Sequence, residues 1–407
     1  MNNFVVFGAS GDLAKNYLFP ALENLNQQGH KFKYFGFSRS SFEQRGFSKK
    51  LKCFTGSYDG EGLAELAKAI SQDSIYYFAI PTNFELVSGL VNGLKKYGLI
   101  GRSSRLVVEK PFGEDQETAE HLMKFLNKAV GQDKVVLVDH YLTKELVRNM
   151  VSLRFANSIF SNLWNETFIS EIKITTTETK TIADRAGYYD KIGAIKDMVQ
   201  NHCLQLLALT TMDQPRSFQP EDFVKAKLDV LNKLELWDKK SIEVGQYKGY
   251  LKEKGVESNS KTETYAKIKF KLNKPGWEKV PITMVTGKKM AERLSEIKVV
   301  FKPMIKHLWG QNVELTANFL VINFAPDNDI SLTVNSSFQP HKQTPNPIKL
   351  HLGGAVANPT TSYENVILDI LDNVKINSPS FSEITAQWKI VDEILAIPRL
   401  KDKLLYY

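Results

Sequence analysis

The sequence predicts two domains, an α/β domain followed by an α+β domain built on a large antiparallel sheet. Three observations predict this. Over the first third of the chain, short apolar runs alternate with segments of helical period, the pattern of a parallel sheet. A glycine-rich turn sits between the first apolar run and the first helix. After Met150 the strand-like runs follow one another with few helices between them. A chain of 407 residues suits two or three domains, and the change of pattern divides it into 1–145 and 146–407.

The first strand, NFVVFG, enters GASGDLAKNYLFPALENL. Gly8, Gly11 and Ala14 occupy the positions of a G-x-x-G-x-x-A variant of the dinucleotide-binding fingerprint. Small residues let the backbone turn tightly and approach a pyrophosphate, and the helix starting near Asp12 aims its free N–H groups at that anion. Leu13, Leu18, Ala21 and Leu22 give this helix an apolar face despite Pro20. The turn Gly8, Ala9, Ser10, Gly11, Asp12, Leu13, Ala14 and Lys15 is therefore the candidate coenzyme site of a Rossmann domain.

The second strand, Lys33 to Phe37, ends in Ser38-Arg39-Ser40. An acidic residue here would serve a ribose 2′-hydroxyl, whereas arginine flanked by hydroxyls suits a 2′-phosphate and so NADP. A solvated surface arginine is the alternative. Further β–α units follow. Ser74 to Pro81 is a strand, FELVSGLVNGLKKYG a helix, and Arg105 to Val108 a strand ending in Glu109-Lys110-Pro111. Lys110 thus stands at a strand's carboxyl end, where ligands of open α/β sheets lie. A helix from Glu114 to Val130 leads to the strand VVLV and then to Asp139-His140-Tyr141 and Lys144. Imidazole, phenol and ammonium in this spacing form a compact phosphate-binding set.

In the second part, Ser170 to Thr179 is an alternating strand that carries Glu178. Ala194 to Met212 is a long, mostly buried helix with Asp197 and His202 on it. Histidine titrates near neutrality and is the usual base for a hydroxyl proton, and a carboxylate orients it. In an α-helix, residues five apart diverge by about 140°, so pairing Asp197 with His202 requires a π-type widening of the helix. The runs TYAKIKFKL, PITMVTG, SEIKVVFKP, FLVINFAP and DISLTVNSSF are the strands of the large sheet. Between two of them, Lys288, Lys289 and Arg293 form a basic cluster, and a solvated face is the bland alternative.

Composition narrows the function classes. The net charge is +8 and the pI about 9.1, but no dense basic run occurs, so a cleft for a phosphorylated small molecule explains the sign as well as nucleic acid does. Neither a secretory leader nor a membrane span is visible, and Cys53 and Cys203 form no disulfide framework, which together suggest a cytoplasmic protein without a membrane partner. The remaining histidines, His30, His121, His307, His341 and His351, show no metal-ligand spacing, and no Walker loop or nucleophile elbow is present.

Several of these segments, in order, resemble the glucose-6-phosphate dehydrogenase family. They are GASGDLAKNYLFPAL, GFSRS, RLVVEKPFGEDQETA, VDHYLTKELVRNMVSLRFANSIFSNLWN, TETKTIADRAGYYDKIGAIKDMVQNHCLQLLALTTMDQP, GWEKVPITMVTGKKMAER and ENVILDIL. The resemblance implies oxidation of β-D-glucose 6-phosphate to 6-phosphoglucono-1,5-lactone with reduction of NADP, the first step of the oxidative pentose phosphate pathway. It implies that His202 is the general base and Asp197 its partner, and that His140, Tyr141 and Lys144 hold the sugar phosphate. Lys110 would contact substrate and coenzyme. Glu178, Lys288 and Arg293 would reach the substrate, and Gly8 to Lys15 with Arg39 would hold NADP. It further implies a homodimer or homotetramer assembled through the large sheet, and no metal. Two positions depart from the family. Thr143 stands where the family has glycine; if the position needs a glycine-only backbone angle or a close approach to phosphate, threonine adds strain or changes the pocket. Ala325 stands where the family places a glutamine near the sugar, so a hydroxyl contact is expected to be missing. The sequence ends about twenty residues after Trp388, and the second, structural NADP of animal members is not expected. A non-catalytic binding homologue, and a dehydrogenase for another phosphosugar or for NAD, stay open as alternatives.

Overall fold

The computed structural model describes residues 3–40, 51–70, 73–182, 185–238, 240–304, 315–336, 345–352 and 360–407. The chain divides into two compact units. The first comprises Met1–Lys144, Ser217–Val224 and Thr360–Trp388; the second comprises Glu145–Arg216, Lys225–Pro359 and Lys389–Tyr407. Among the described residues no helix is long and apolar enough to cross a membrane.

The first unit is built on a six-stranded sheet, β1 (Asn3–Phe7), β2 (Lys33–Ser38), β3 (Lys52–Thr55), β4 (Ser74–Phe78), β5 (Arg105–Val108) and β6 (Val135–Leu137). The spatial order is β3-β2-β1-β4-β5-β6 and each pair is parallel. Strands buried on both faces read as continuous apolar runs, and Phe4, Val5, Val6 and Phe7 of β1 are wholly buried. The crossovers carry α1 (Phe19–Gln27), α2 (Gly62–Ala69), α3 (Phe84–Lys96) and α4 (Gln116–Val130). The helix that follows the glycine turn opens with a π-helical segment, Ala14–Leu18, in which the Phe19 N–H reaches the Ala14 carbonyl. Pro20 explains the widening, since it has no N–H to donate and its ring crowds the carbonyl four residues back.

The second unit carries α5 (Glu145–Phe155), α6 (Ser158–Leu163), α7 (Ala186–Tyr189) and α8 (Leu204–Thr211). Its sheet runs β15-β14-β13-β12-β7-β11-β10-β9-β16, and β8 pairs with β10. The strands are β7 (Ile169–Thr177), β8 (Leu234–Leu236), β9 (Ile242–Gln246), β10 (Tyr265–Leu272), β11 (Ile282–Gly287), β12 (Leu294–Phe301), β13 (Phe319–Ala325), β14 (Asp329–Ser336), β15 (Asn346–His351) and β16 (Leu405–Tyr406). Most neighbours are antiparallel, as the strand runs imply, but β7–β11 and β9–β16 are parallel. Both pairs join strands far apart in sequence, and a parallel pair requires such a long connection.

Three more α-helices lie among the described residues, α9 (Pro220–Leu231), α10 (Ser362–Asp372) and α11 (Phe381–Leu395). α10 packs Val366, Ile367 and Ile370 into the first unit's core with Leu18, Phe19, Leu22, Val136 and Val138. Its start is a capping box: the Thr361 hydroxyl accepts from the Glu364 N–H, and the Glu364 carboxylate accepts from the Thr361 N–H.

Candidate active site

The glycine turn lies at the carboxyl end of β1. The order of the sheet reverses there, with β2 on one side and β4 on the other, the crevice in which dinucleotides bind. Gly8 has φ +80°, and a Cβ on it would collide with the backbone carbonyl of Ala79. Only glycine fits this approach. The Gly8 and Ala9 N–H groups donate to the Phe37 carbonyl at 2.9 and 3.1 Å, and the Gly11 N–H donates to the Gly8 carbonyl at 2.9 Å. Asp12 and Lys15 are exposed, whereas Ala9 and Ala14 are buried as packing residues. Arg39 is exposed beyond β2. Burial raises the pKa of Tyr58, while the Arg39 charge and a hydrogen bond from the Gly8 backbone oppose the rise, so Arg39 and the turn share one neighbourhood. A tight turn, an open helix start and a cation at the end of β2 together fit a nicotinamide dinucleotide.

Lys110 and His140 emerge side by side, because β5 and β6 are parallel with Val108 opposite Leu137. The Val138 N–H extends the ladder to the Val108 carbonyl at 2.9 Å. Beyond this point the chain turns: the Asp139 carboxylate accepts from the Tyr141 N–H at 2.9 Å and its carbonyl from the Leu142 N–H at 3.1 Å. The turn gathers the three predicted groups. The His140 and Tyr141 rings lie 5.1 Å apart, and the Lys144 ammonium sits 4.4 Å from the Tyr141 ring centre.

Behind Lys110 lies Glu109, a buried carboxyl that accepts from the Tyr77 hydroxyl at 2.5 Å. Burial pushes its pKa up to about 7; the Tyr77 hydrogen bond and the Lys110 charge act against the rise, and Asp139 adds to it. Tyr363 of α10 also bonds to Glu109 and has its own pKa raised, by burial first and by the nearby Glu109 charge second. Its ring stacks on His140 with centres 5.8 Å apart and planes at 13°. The sequence reading assigned no role to Glu109 or Tyr363. The available signal was the T-x-x-E capping box that announces a helix immediately around Tyr363.

In the second unit, Asp197 and His202 lie on a π-helical segment, Ile195–Cys203, that runs into α8. The Leu204 N–H reaches the Val199 carbonyl, the five-residue bond of a π-helix. This is the widening that the five-residue spacing requires, and it brings positions five apart toward one face. Glu263 fixes the segment's start. Its carbonyl accepts from the Ala194 N–H at 2.9 Å and its carboxylate from the Ile195 N–H at 3.3 Å, with the Lys401 ammonium 2.7 Å from the other carboxylate oxygen. An anion at a helix N-terminus is favoured by the exposed N–H groups and the helix dipole. His202 is buried, at 1% exposure.

Glu178 and Lys288 follow the ends of the parallel strands β7 and β11, where Thr177 faces Gly287. The Lys288 ammonium therefore lies 2.8 Å from the Glu178 carboxylate, and also 3.4 Å from that of Asp197. Burial acts to lower the Lys288 pKa, but Asp197 and Glu178 outweigh it and the net shift is upward. The basic cluster thus divides. Lys288 turns inward, whereas Lys289 donates to the Lys248 carbonyl at 3.0 Å. Arg293 is exposed and precedes Leu294, which pairs with Thr177, so it stands at the same sheet end as Glu178.

At Thr143 the condition for strain, a glycine-only backbone angle, is not met. Thr143 is absent from the non-glycine residues with positive φ, so its backbone makes no demand for glycine. Ala325 is buried at the end of β13 and has no polar side-chain atom to offer a sugar. His307 and His341 lie outside the described residues.

Comparison with known proteins identifies the family. The NAD-binding domain of glucose-6-phosphate dehydrogenase matches residues 5–62 and 59–149, and the C-terminal domain of the same family matches residues 151–407. Glucose-6-phosphate 1-dehydrogenase of Borreliella burgdorferi is 33% identical over 97% of this chain and 92% of that protein. The Bacillus subtilis enzyme of that name is 32% identical over 96% of this chain and 90% of its own length. Among solved structures, a glucose-6-phosphate dehydrogenase in complex with its substrate glucose 6-phosphate superposes with a TM-score of 0.88, at 30% identity over 97% of this chain and 91% of that one. With both family domains matched across nearly its full length, the chain belongs to the glucose-6-phosphate dehydrogenase family.

Proposed function

We propose that this protein oxidises β-D-glucose 6-phosphate at C1 to 6-phosphoglucono-1,5-lactone, with NADP⁺ as the hydride acceptor. The observation that carries the reading is the second unit's set of groups: His202 on the widened helix, and Lys288 joined to both Glu178 and Asp197. In this reading His202 takes the C1 hydroxyl proton as the C1 hydrogen leaves with its electron pair, so the C–O bond becomes a carbonyl. Asp197 orients the imidazole and stabilises its cation. Glu178, Lys288 and Arg293 fix the sugar hydroxyls, and His140, Tyr141 and Lys144 bind the phosphate. Lys110 serves substrate and coenzyme. The phosphate does not react, so its binding energy contributes to orienting C1. The coenzyme, bound by the Gly8–Lys15 turn, supplies the nicotinamide that accepts the hydride.

Arg39 supports NADP over NAD, because a cation beyond β2 suits the 2′-phosphate. Arg39→Ala is expected to lower kcat/KM for NADP⁺ by roughly 10–100-fold, the loss of one charge-assisted contact, and to change the NAD⁺ value little. Equal losses with both coenzymes would remove Arg39 from the site. A specificity series tests the sugar: glucose 6-phosphate should exceed galactose 6-phosphate and free glucose in kcat/KM. Ala325 motivates the comparison, since a contact that the family makes through glutamine is missing. A preference for another phosphosugar would redirect the substrate assignment and leave the reaction class intact.

A further inference from the structure

We infer that Thr143 is a positioning residue, a latch that holds the His140–Lys144 turn against the start of α10. The inference rests on the substrate reading above, because it assigns this turn the sugar phosphate.

Three contacts carry it. The Thr143 hydroxyl lies 3.0 Å from the Ser362 carbonyl and 3.1 Å from the His140 carbonyl, so its single proton serves acceptors on both segments. The Asn365 side-chain amide donates back to the Thr143 carbonyl at 2.9 Å. Between these two α10 residues stands Tyr363, whose ring stacks on His140.

The start of α10 is a firm anchor. Its capping box fixes the backbone at Thr361 and Glu364. Thr360 holds the Asn365 carbonyl oxygen at 2.8 Å, which leaves the amide nitrogen aimed at Thr143. The Ser362 carbonyl belongs to the helix's first turn, and in the turn it grips the Leu142 and Lys144 N–H groups donate to the Asp139 and Tyr141 carbonyls at 3.1 and 3.2 Å. Thr143 is 3% exposed, so water does not compete for its hydroxyl. A glycine here could form the Asn365 bond through its carbonyl but not the hydroxyl bonds. The threonine therefore cross-links the turn to α10, and it fixes the spacing of His140, Tyr141 and Lys144 before the substrate arrives. Ordering those groups in advance lowers the entropy lost on binding.

The experiment is a set of three variants, Thr143→Val, Thr143→Gly and Thr143→Ser, read by glucose 6-phosphate kinetics and by amide hydrogen exchange of the free protein. Valine keeps the shape and removes the hydroxyl; serine restores it. With valine and glycine the KM for the phosphosugar should rise about fivefold, the loss of one hydrogen bond, with kcat within about twofold of the parent. Exchange at the amides of Leu142 and Lys144 should quicken in both, and serine should return both readouts to the parent values. Unchanged KM and unchanged exchange in Thr143→Val and Thr143→Gly would overturn the latch. So would a fall in kcat and stability that serine does not restore, since that pattern marks a packing role. Exchange is independent of turnover. A parent protein inactive on glucose 6-phosphate yet showing the exchange pattern would overturn the substrate reading and leave the latch standing.

Discussion

Replacing His202 by asparagine is expected to lower kcat on the order of 10²–10⁴-fold, the usual contribution of a general base. Asparagine keeps a polar planar side chain in a position that is 1% exposed, so the packing around the π-helical segment is retained. Substrate affinity should change by less than about threefold, because a base that acts on the C1 proton works in the transition state rather than in the ground state. Steady-state kinetics with an equilibrium binding measurement check this. A large loss of affinity with kcat preserved would make His202 a substrate ligand instead of the base.

Lys288→Met carries the second large effect. The lysine lies 2.8 Å from Glu178 and 3.4 Å from Asp197, with its own side chain 12% exposed. Methionine fills much the same volume but removes the ammonium that reaches both carboxylates. Glu178 is 45% exposed whereas Asp197 is 16% exposed, and taking a cation away from a poorly solvated carboxylate is the costly part of such a change. The expected loss in kcat/KM is on the order of 10²-fold, and Asp197 should then accept a proton more readily, moving the acid limb of the pH–rate profile upward. The wild-type pairs do not weaken on the acid side through lysine itself. Its pKa is raised on folding, so its contribution to stability is complete below the unfolded value of about 10.4 and is lost only as pH climbs through the folded value. An unchanged pH–rate profile in the variant, with kcat/KM near the parent's, would remove Lys288 from the site.

Much of this was legible in the sequence because it is written in local patterns. The first sheet's strands are apolar on both faces, and their helices carry a 3.6-residue period, so β1, β2, β4, β5 and β6 can be read off directly. The glycine turn was legible for a steric reason that the structure makes explicit, the closeness of Gly8 to the Ala79 carbonyl. The helix defect between Asp197 and His202 was expected on the premise that the two pair, since residues five apart diverge on an α-helix.

What was hidden depends on register between distant segments. Nothing local says that β7 and β11 run parallel, yet that pairing sets Lys288 beside Glu178. Nothing near Lys288 distinguishes it from Lys289, which donates to a backbone carbonyl instead. The network of Glu109, Tyr77 and Tyr363 needs α10 to return to the first sheet from over two hundred residues away. Thr143 shows the limit of the resemblance. A glycine position suggested a special backbone angle, but the threonine adopts an ordinary one and spends its hydroxyl on α10.

The most direct measurement uses glucose 6-phosphate deuterated at C1, with NADP⁺ and the wild-type protein, and follows the label. The reduced coenzyme should carry the deuterium at its nicotinamide ring, with the lactone of 6-phosphogluconate formed in equal amount. Unlabelled reduced coenzyme, or no turnover while both ligands bind, would contradict hydride transfer from C1 and with it the role given to His202.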